Sequence, residues 1–167
     1  MRMKTTIFLV AAVGLAACAG TEINQPPIRY VATKSLNERG TSSFQVVTYT
    51  KAGSGSRKQV RGVPCTFSGD GFSSSFTTPA VVVSPNMGAR TPVASVVCDL
   101  DGVKKTRIVE PFNETLAGIN NGAMAAATGG GLVGLLVGGA VAAVQSSNRD
   151  ANQDIYGYPD VAVTFGG

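Results

Sequence analysis

From residue 29 onward the chain alternates apolar and polar side chains with the period of two that marks a half-buried strand, not the 3.6 of a helix. Val63, Cys65 and Phe67 alternate with Pro64 and Thr66, and Phe72, Ser74 and Phe76 repeat the period with serines between them. Gly69-Asp70-Gly71 between the two runs is a tight-turn signal, so residues 63–77 read as a hairpin. Thr77-Thr78-Pro79 breaks the pattern, and residues 80–83 follow as a short buried strand. Ala94, Val96 and Cys98 share one face of a strand over 93–98, which Asp101-Gly102 turns into 103–109 as a second hairpin. Runs rich in Val, Thr, Phe and Tyr at 29–33 and 44–50 give two earlier strands, and 51–56, with Gly53 and Gly55, is expected to be a mobile loop. Val161, Val163 and Phe165 define a closing strand, entered through a turn at Tyr156-Gly157-Tyr158-Pro159. The expected fold is mainly β, a small antiparallel sandwich-like domain over residues 29–167.

One segment, at about 116–146, departs from this pattern. Residues 122–144 carry no charge, and small side chains recur every fourth position through Gly118, Gly122, Ala126, Gly130, Gly134, Gly138, Ala142 and Ser146. This is the small-xxx-small ridge of a glycine zipper, which lets helix backbones approach closely. Seven of those 23 residues are glycine, each about 1 kcal/mol less favourable in a helix than alanine, so an isolated helix would not form in water. The favoured reading is a hairpin of two short helices broken at Gly129-Gly130-Gly131 and inserted in the β domain, with Asn113 as N-cap and Glu110 and Glu114 flanking its start. A single membrane-spanning helix would carry residues 147–167 away from the sheet, and disorder is the third possibility.

The first apolar segment sets the address. Arg2 and Lys4 precede an apolar run over 7–17 that is too short to span a bilayer and has the order of a secretory signal. Leu15-Ala16-Ala17-Cys18 resembles the bacterial lipobox, which implies a signal peptide over 1–17 and lipidation, including palmitate, at Cys18. Several acyl chains make a durable membrane anchor, since each buried methylene contributes about 0.8 kcal/mol. In the sorting rule of enterobacterial lipoproteins, Ala19 in place of Asp implies the outer membrane, with the chain facing the periplasm. Residues 18–28, interrupted by Pro26-Pro27, are expected to be a flexible tether.

Charge adds little. Once residues 1–17 are removed, 12 basic residues face 10 acidic ones, and no basic stripe interleaved with aromatics suggests nucleic acid. Cysteine usage adds more, because with Cys18 committed to lipid, Cys65 and Cys98 remain as an even pair in an oxidising compartment. A disulfide bridging the sandwich is expected. The alternatives are two free thiols or a metal pair, but two sulfurs in a chain without histidine do not complete a tetrahedral zinc site.

The order Gly62-Val63-Pro64-Cys65, Thr78-Pro79-Ala80-Val81, Val96-Val97-Cys98-Asp99, an apolar Gly-rich insert and Tyr158-Pro159 resembles a group of uncharacterised proteobacterial lipoproteins. The resemblance spans roughly residues 60–165 and implies an envelope location and a cysteine pair, with no activity to transfer. Pro79-Ala80 stands where those proteins have Pro-Gly.

No catalytic or metal constellation is expected and no cofactor. The absence of histidine removes Ser-His-Asp and Cys-His arrangements, and no nucleotide-binding glycine motif lies between a strand and a helix. Asp99-Leu100-Asp101-Gly102 reads as a β-turn rather than a calcium loop, and Ser73-Ser74-Ser75 as strand surface. The expected function is that of a non-catalytic, lipid-anchored envelope structural or interaction protein, binding an envelope partner or self-associating through the Gly-rich segment. The alternative is a membrane-active protein whose zipper oligomerises in the bilayer.

Overall fold

The computed structural model describes residues 22–51, 55–118 and 149–166. The signal peptide, Cys18 and the segment 119–148, with Gly122, Ala126, Gly130, Gly134, Gly138 and Ala142 and the expected helical hairpin, lie outside the described residues. Of the expected insert only its start is described, where residues 114–118 are helical.

The described chain is a β-sandwich. One sheet has the order β1 (Val31–Ala32), β5 (Phe72–Thr77), β4 (Pro64–Gly69), β7 (Ala94–Leu100), β8 (Val103–Val109), antiparallel throughout. The other is built on the 12-residue strand β2 (Gly40–Lys51). Along its first half β2 pairs with β6 (Ala80–Asn86), along its second half with β3 (Arg57–Val60), and β11 (Val161–Phe165) runs beside it. The chain changes sheets at Thr78-Pro79, where the peptide bond is cis.

Alternation decides which residues meet between the sheets. Phe44, Val46, Ala80, Val82, Val161, Val163 and Phe165 on one side face Phe67, Phe72, Phe76, Val96 and the two cysteines on the other, all buried. Phe67 is the hub. Its ring lies 5.0 Å from Phe44, 5.2 Å from Tyr158 and 5.4 Å from Phe72, in the edge-on or tilted geometries that aromatic quadrupoles favour. The buried Thr48 hydroxyl is satisfied by Val60 O at 2.7 Å and Thr78 Oγ1 at 2.6 Å.

Both expected hairpins form. Gly71 adopts a left-handed φ of 88° at the first turn, and Asp101 and Gly102, at 52° and 84°, make the second a type I′ turn, with Asp99 Oδ1 accepting from Gly102 N.

Three expectations are corrected, and one strand appears that the pattern did not announce. β11 pairs with β2 in parallel, so the fold is not purely antiparallel. Residues 57–60 form a strand despite Arg57 and Lys58, because backbone pairing to β2 supplies what hydrophobic patterning does not. The Cys65–Cys98 disulfide joins adjacent strands of one sheet rather than crossing the sandwich, since the two residues are direct partners between β4 and β7, with Cα atoms 4.1 Å apart. Residues 22–28 are docked rather than a free tether: Arg61 donates to Glu22 O, Gln25 Nε2 to Thr77 O and Pro79 O, and Ile28 bridges Val82 with backbone bonds to Val81 and Val83.

Candidate functional site

The residues that leave and rejoin the β domain on either side of 119–148 converge at one end of the sandwich. Phe112–Asn113, strand β9, pairs with Tyr156–Gly157, strand β10. The residues expected to form only a turn before β11 are therefore partly strand, because β9 offers them a backbone ladder.

Asn113 organises the junction. Its Oδ1 accepts from Leu116 N at 2.8 Å, the expected N-cap bond, and its Nδ2 donates to Asp154 Oδ2 at 2.6 Å. Asp154 is 3 % exposed and also receives Arg149 Nε, at 3.0 Å on Oδ1 and 3.2 Å on Oδ2. The Arg149 hydrogen bond, and after it that of Asn113, hold the Asp154 carboxyl below its ordinary pKa. A buried carboxylate without such donors would be strongly unfavourable, so each member of the trio secures the others.

Further hydrogen bonds complete the clasp. Glu114 N donates to Ile155 O at 2.9 Å, and Ile155 N to Thr115 Oγ1 at 3.0 Å. Asn86 Oδ1, from the end of β6, accepts from both Gly88 N and Tyr156 N. Ser42 Oγ donates to Glu114 Oε1 directly over Gly157, where a Cβ would lie 2.0 Å from that oxygen and 2.2 Å from Ser42 Oγ. A side chain at 157 would force Glu114 and Ser42 to move. Just beyond, Tyr158 enters the core and its hydroxyl donates to Pro92 O at 2.5 Å, with burial raising its pKa.

This clasp is remote from the amino-terminal entry. The entry contacts Pro79, next to the start of β6, and the clasp contacts Asn86 at its end. Six residue steps of strand separate Ala80 from Asn86, about 20 Å at roughly 3.3 Å per residue.

The chemistry here is that of a fastener. The carboxylates of Glu114 and Asp154 are engaged by Ser42, Asn113 and Arg149, and Glu110 is exposed on the preceding loop. Among the described residues no three His, Cys, Asp or Glu side chains gather as a metal-ligand group. Ser74, inside the serine run, is buried with its hydroxyl unpartnered and faces the core. Cys65 and Cys98 are joined and buried, which removes both as free thiols. Of the clasp, sequence reasoning identified Asn113 through the N-cap pattern, read Gly157 only as part of a turn, and missed Asp154 and Arg149, which lie in a polar stretch without periodicity. Comparison of the chain with family models, curated proteins and solved structures finds no match.

Proposed function

We propose that this chain is a lipid-anchored, non-catalytic component of the bacterial cell envelope, whose β-sandwich is a scaffold that carries the glycine-rich segment. The observation that supports this reading is the clasp: Asn113, Asp154 and Arg149 fasten both flanks of the segment to one end of the domain, about 20 Å along β6 from the amino-terminal entry. With Cys18 acylated, only residues 19–21 separate the anchor from the docked Glu22, so the sandwich is held close to the outer membrane by one end. The clasp then faces away from that membrane, where the segment meets an envelope partner or a second copy. The helical hairpin fits this arrangement, since its two ends return to the same place.

Mass spectrometry of the mature amino terminus tests the anchor. Acylated Cys18 with loss of membrane association in Cys18→Ser is expected, and an unmodified terminus at Cys18 overturns it.

The uncharged run over 122–144 favours a second reading, oligomerisation of the zipper within the bilayer. Gly134→Leu separates the two. Packing against the domain predicts a lower melting temperature, by overpacking that costs about 1 to 3 kcal/mol. Assembly in the bilayer predicts unchanged melting and the loss of crosslinked oligomers.

A further inference from the structure

The edges of the two sheets come together along one side of the sandwich and leave a trough. β8 ends the five-stranded sheet, β11 ends the other, and the two strands lie against each other. Two cavities lie between them, one toward each end of β8. The larger, of about 500 Å³, is lined by Leu100, Val103 and Phe165 with Lys51, Lys105 and Asp101, and the smaller, of about 250 Å³, has Arg107 and Asp160 beside Val161.

The outer backbone edge of β8 is unpaired among the described residues, although β11 lies near it. The 4.1 Å Cα separation of Cys65 and Cys98 marks a pair that exchanges no ladder hydrogen bonds, so Cys98 turns its N–H and C=O toward β8 and bonds its partner Lys105. By alternation Arg107 also bonds inward, and Lys104, Thr106 and Ile108 direct their N–H and C=O groups away from the sheet. Among the described residues nothing pairs with that edge.

The side chains guard the edge against a like-charged strand and leave it complementary to an acidic one. Lys105 and Arg107 occupy the inward-facing parity, opposite Cys98 and Val96, yet are exposed at the lip of the trough. Lys104 adds a third cation, no acid lies on the strand, and none of the three is in a salt bridge among the described residues. Asp99, the cross-strand partner of Lys104, and Asp160 accept from Gly102 N and Gln45 N, and Asp101 at the turn lines the larger cavity, so the cations outnumber the acids around the trough. Val103 is 54 % and Ile108 66 % exposed, apolar surface that lysines alone would not require.

We propose that β8 is a docking edge for an extended, acidic segment of another polypeptide, which adds to the sheet as a strand. Charge selects the occupant. A second copy aligned edge to edge would bring the Lys104, Lys105 and Arg107 clusters together, an unfavourable like-charge pairing, whereas alternating carboxylates match them. The open backbone groups select a strand over a lipid, because an acyl chain would leave them unpaired. The inference uses the β domain alone and stands whether or not Cys18 is acylated.

The test uses the full chain in detergent micelles and a fluorescein-labelled nonapeptide alternating Glu with Val and Thr, with a Lys-for-Glu peptide as control. The acidic peptide is expected to bind, more weakly as salt rises, and to slow amide exchange at Lys104, Thr106 and Ile108; the control is expected not to bind. Thr106→Pro removes an outward donor without touching the β7–β8 ladder, so melting should persist while binding weakens about tenfold, the equivalent of one or two net hydrogen bonds. An acidic peptide N-methylated at alternate residues applies the same test with the protein unaltered, and should also bind weakly. The paired change Lys105→Glu and Arg107→Glu should abolish binding. Failure of the acidic peptide to bind overturns the proposal. So does binding that survives N-methylation without exchange protection, which is adhesion by charge alone, or capture of phosphatidylglycerol vesicles through β8 in place of the peptide.

Discussion

Asn113 Nδ2 and Asp154 Oδ2 are 2.6 Å apart across 41 residues of chain, and this bond closes the clasp around the glycine-rich segment. Because Asn113 also caps the helical residues at 114–118, the same side chain begins the helix and ties its start to the returning chain.

The first prediction concerns pH. Asp154 is held below its ordinary pKa, so the stability it adds is fully present above the unfolded carboxylate value near 3.9 and is lost as pH falls through the depressed native value. Thermal melts should show Asp154→Asn melting below the wild type at neutral pH, with the gap narrowing only below about pH 4. A constant gap down to acid would show that the carboxylate's charge is not what matters.

A second prediction concerns Gly157. Gly157→Ala places a methyl group against Glu114 and Ser42, and should cost about 1 to 3 kcal/mol, read from denaturant melts. Faster amide exchange at Glu114, whose N–H binds Ile155 O, should accompany it. Wild-type stability in Gly157→Ala would mean that Glu114 swings out freely.

The disulfide supplies the third. Closing a loop across a sequence separation of 33 contributes roughly 3 to 4 kcal/mol in the chain-entropy model, so Cys65→Ala with Cys98→Ala should be destabilised by about that much. Thiol labelling of the denatured, unreduced wild type should tag neither residue. Labelling of both would contradict the bond.

Phe67 supplies the fourth. It is fully buried between Phe44, Phe72 and Tyr158, and Phe67→Ala should cost about 3 to 5 kcal/mol, the range for truncating a core aromatic. Thr66→Ala, on the exposed face of the same strand, is the control and should change stability by no more than about 0.5 kcal/mol.

The sequence by itself determined the facing of the strands that alternate. Alternation in 63–77 and 93–98 placed Phe67, Phe72 and both cysteines inward, Asp101-Gly102 set the second turn, and Asn113 announced a helix start. These are local properties, written in neighbouring side chains and in which residues tolerate a left-handed φ. Tertiary structure decided which strand lies beside which. Nothing local in Val161, Val163 and Phe165 says that β11 returns parallel to β2, and Arg57 and Lys58 carry no apolar period to announce β3. Facing alone put the two cysteines inside but could not say whether they were neighbours in one sheet or opposed across two. Edge position had the same origin: the cations of β8 face inward by parity and reach solvent only because that strand ends its sheet. Hydrophobic period reports the face a residue turns, whereas pairing depends on where a distant segment comes back, a contact that no short stretch of sequence contains.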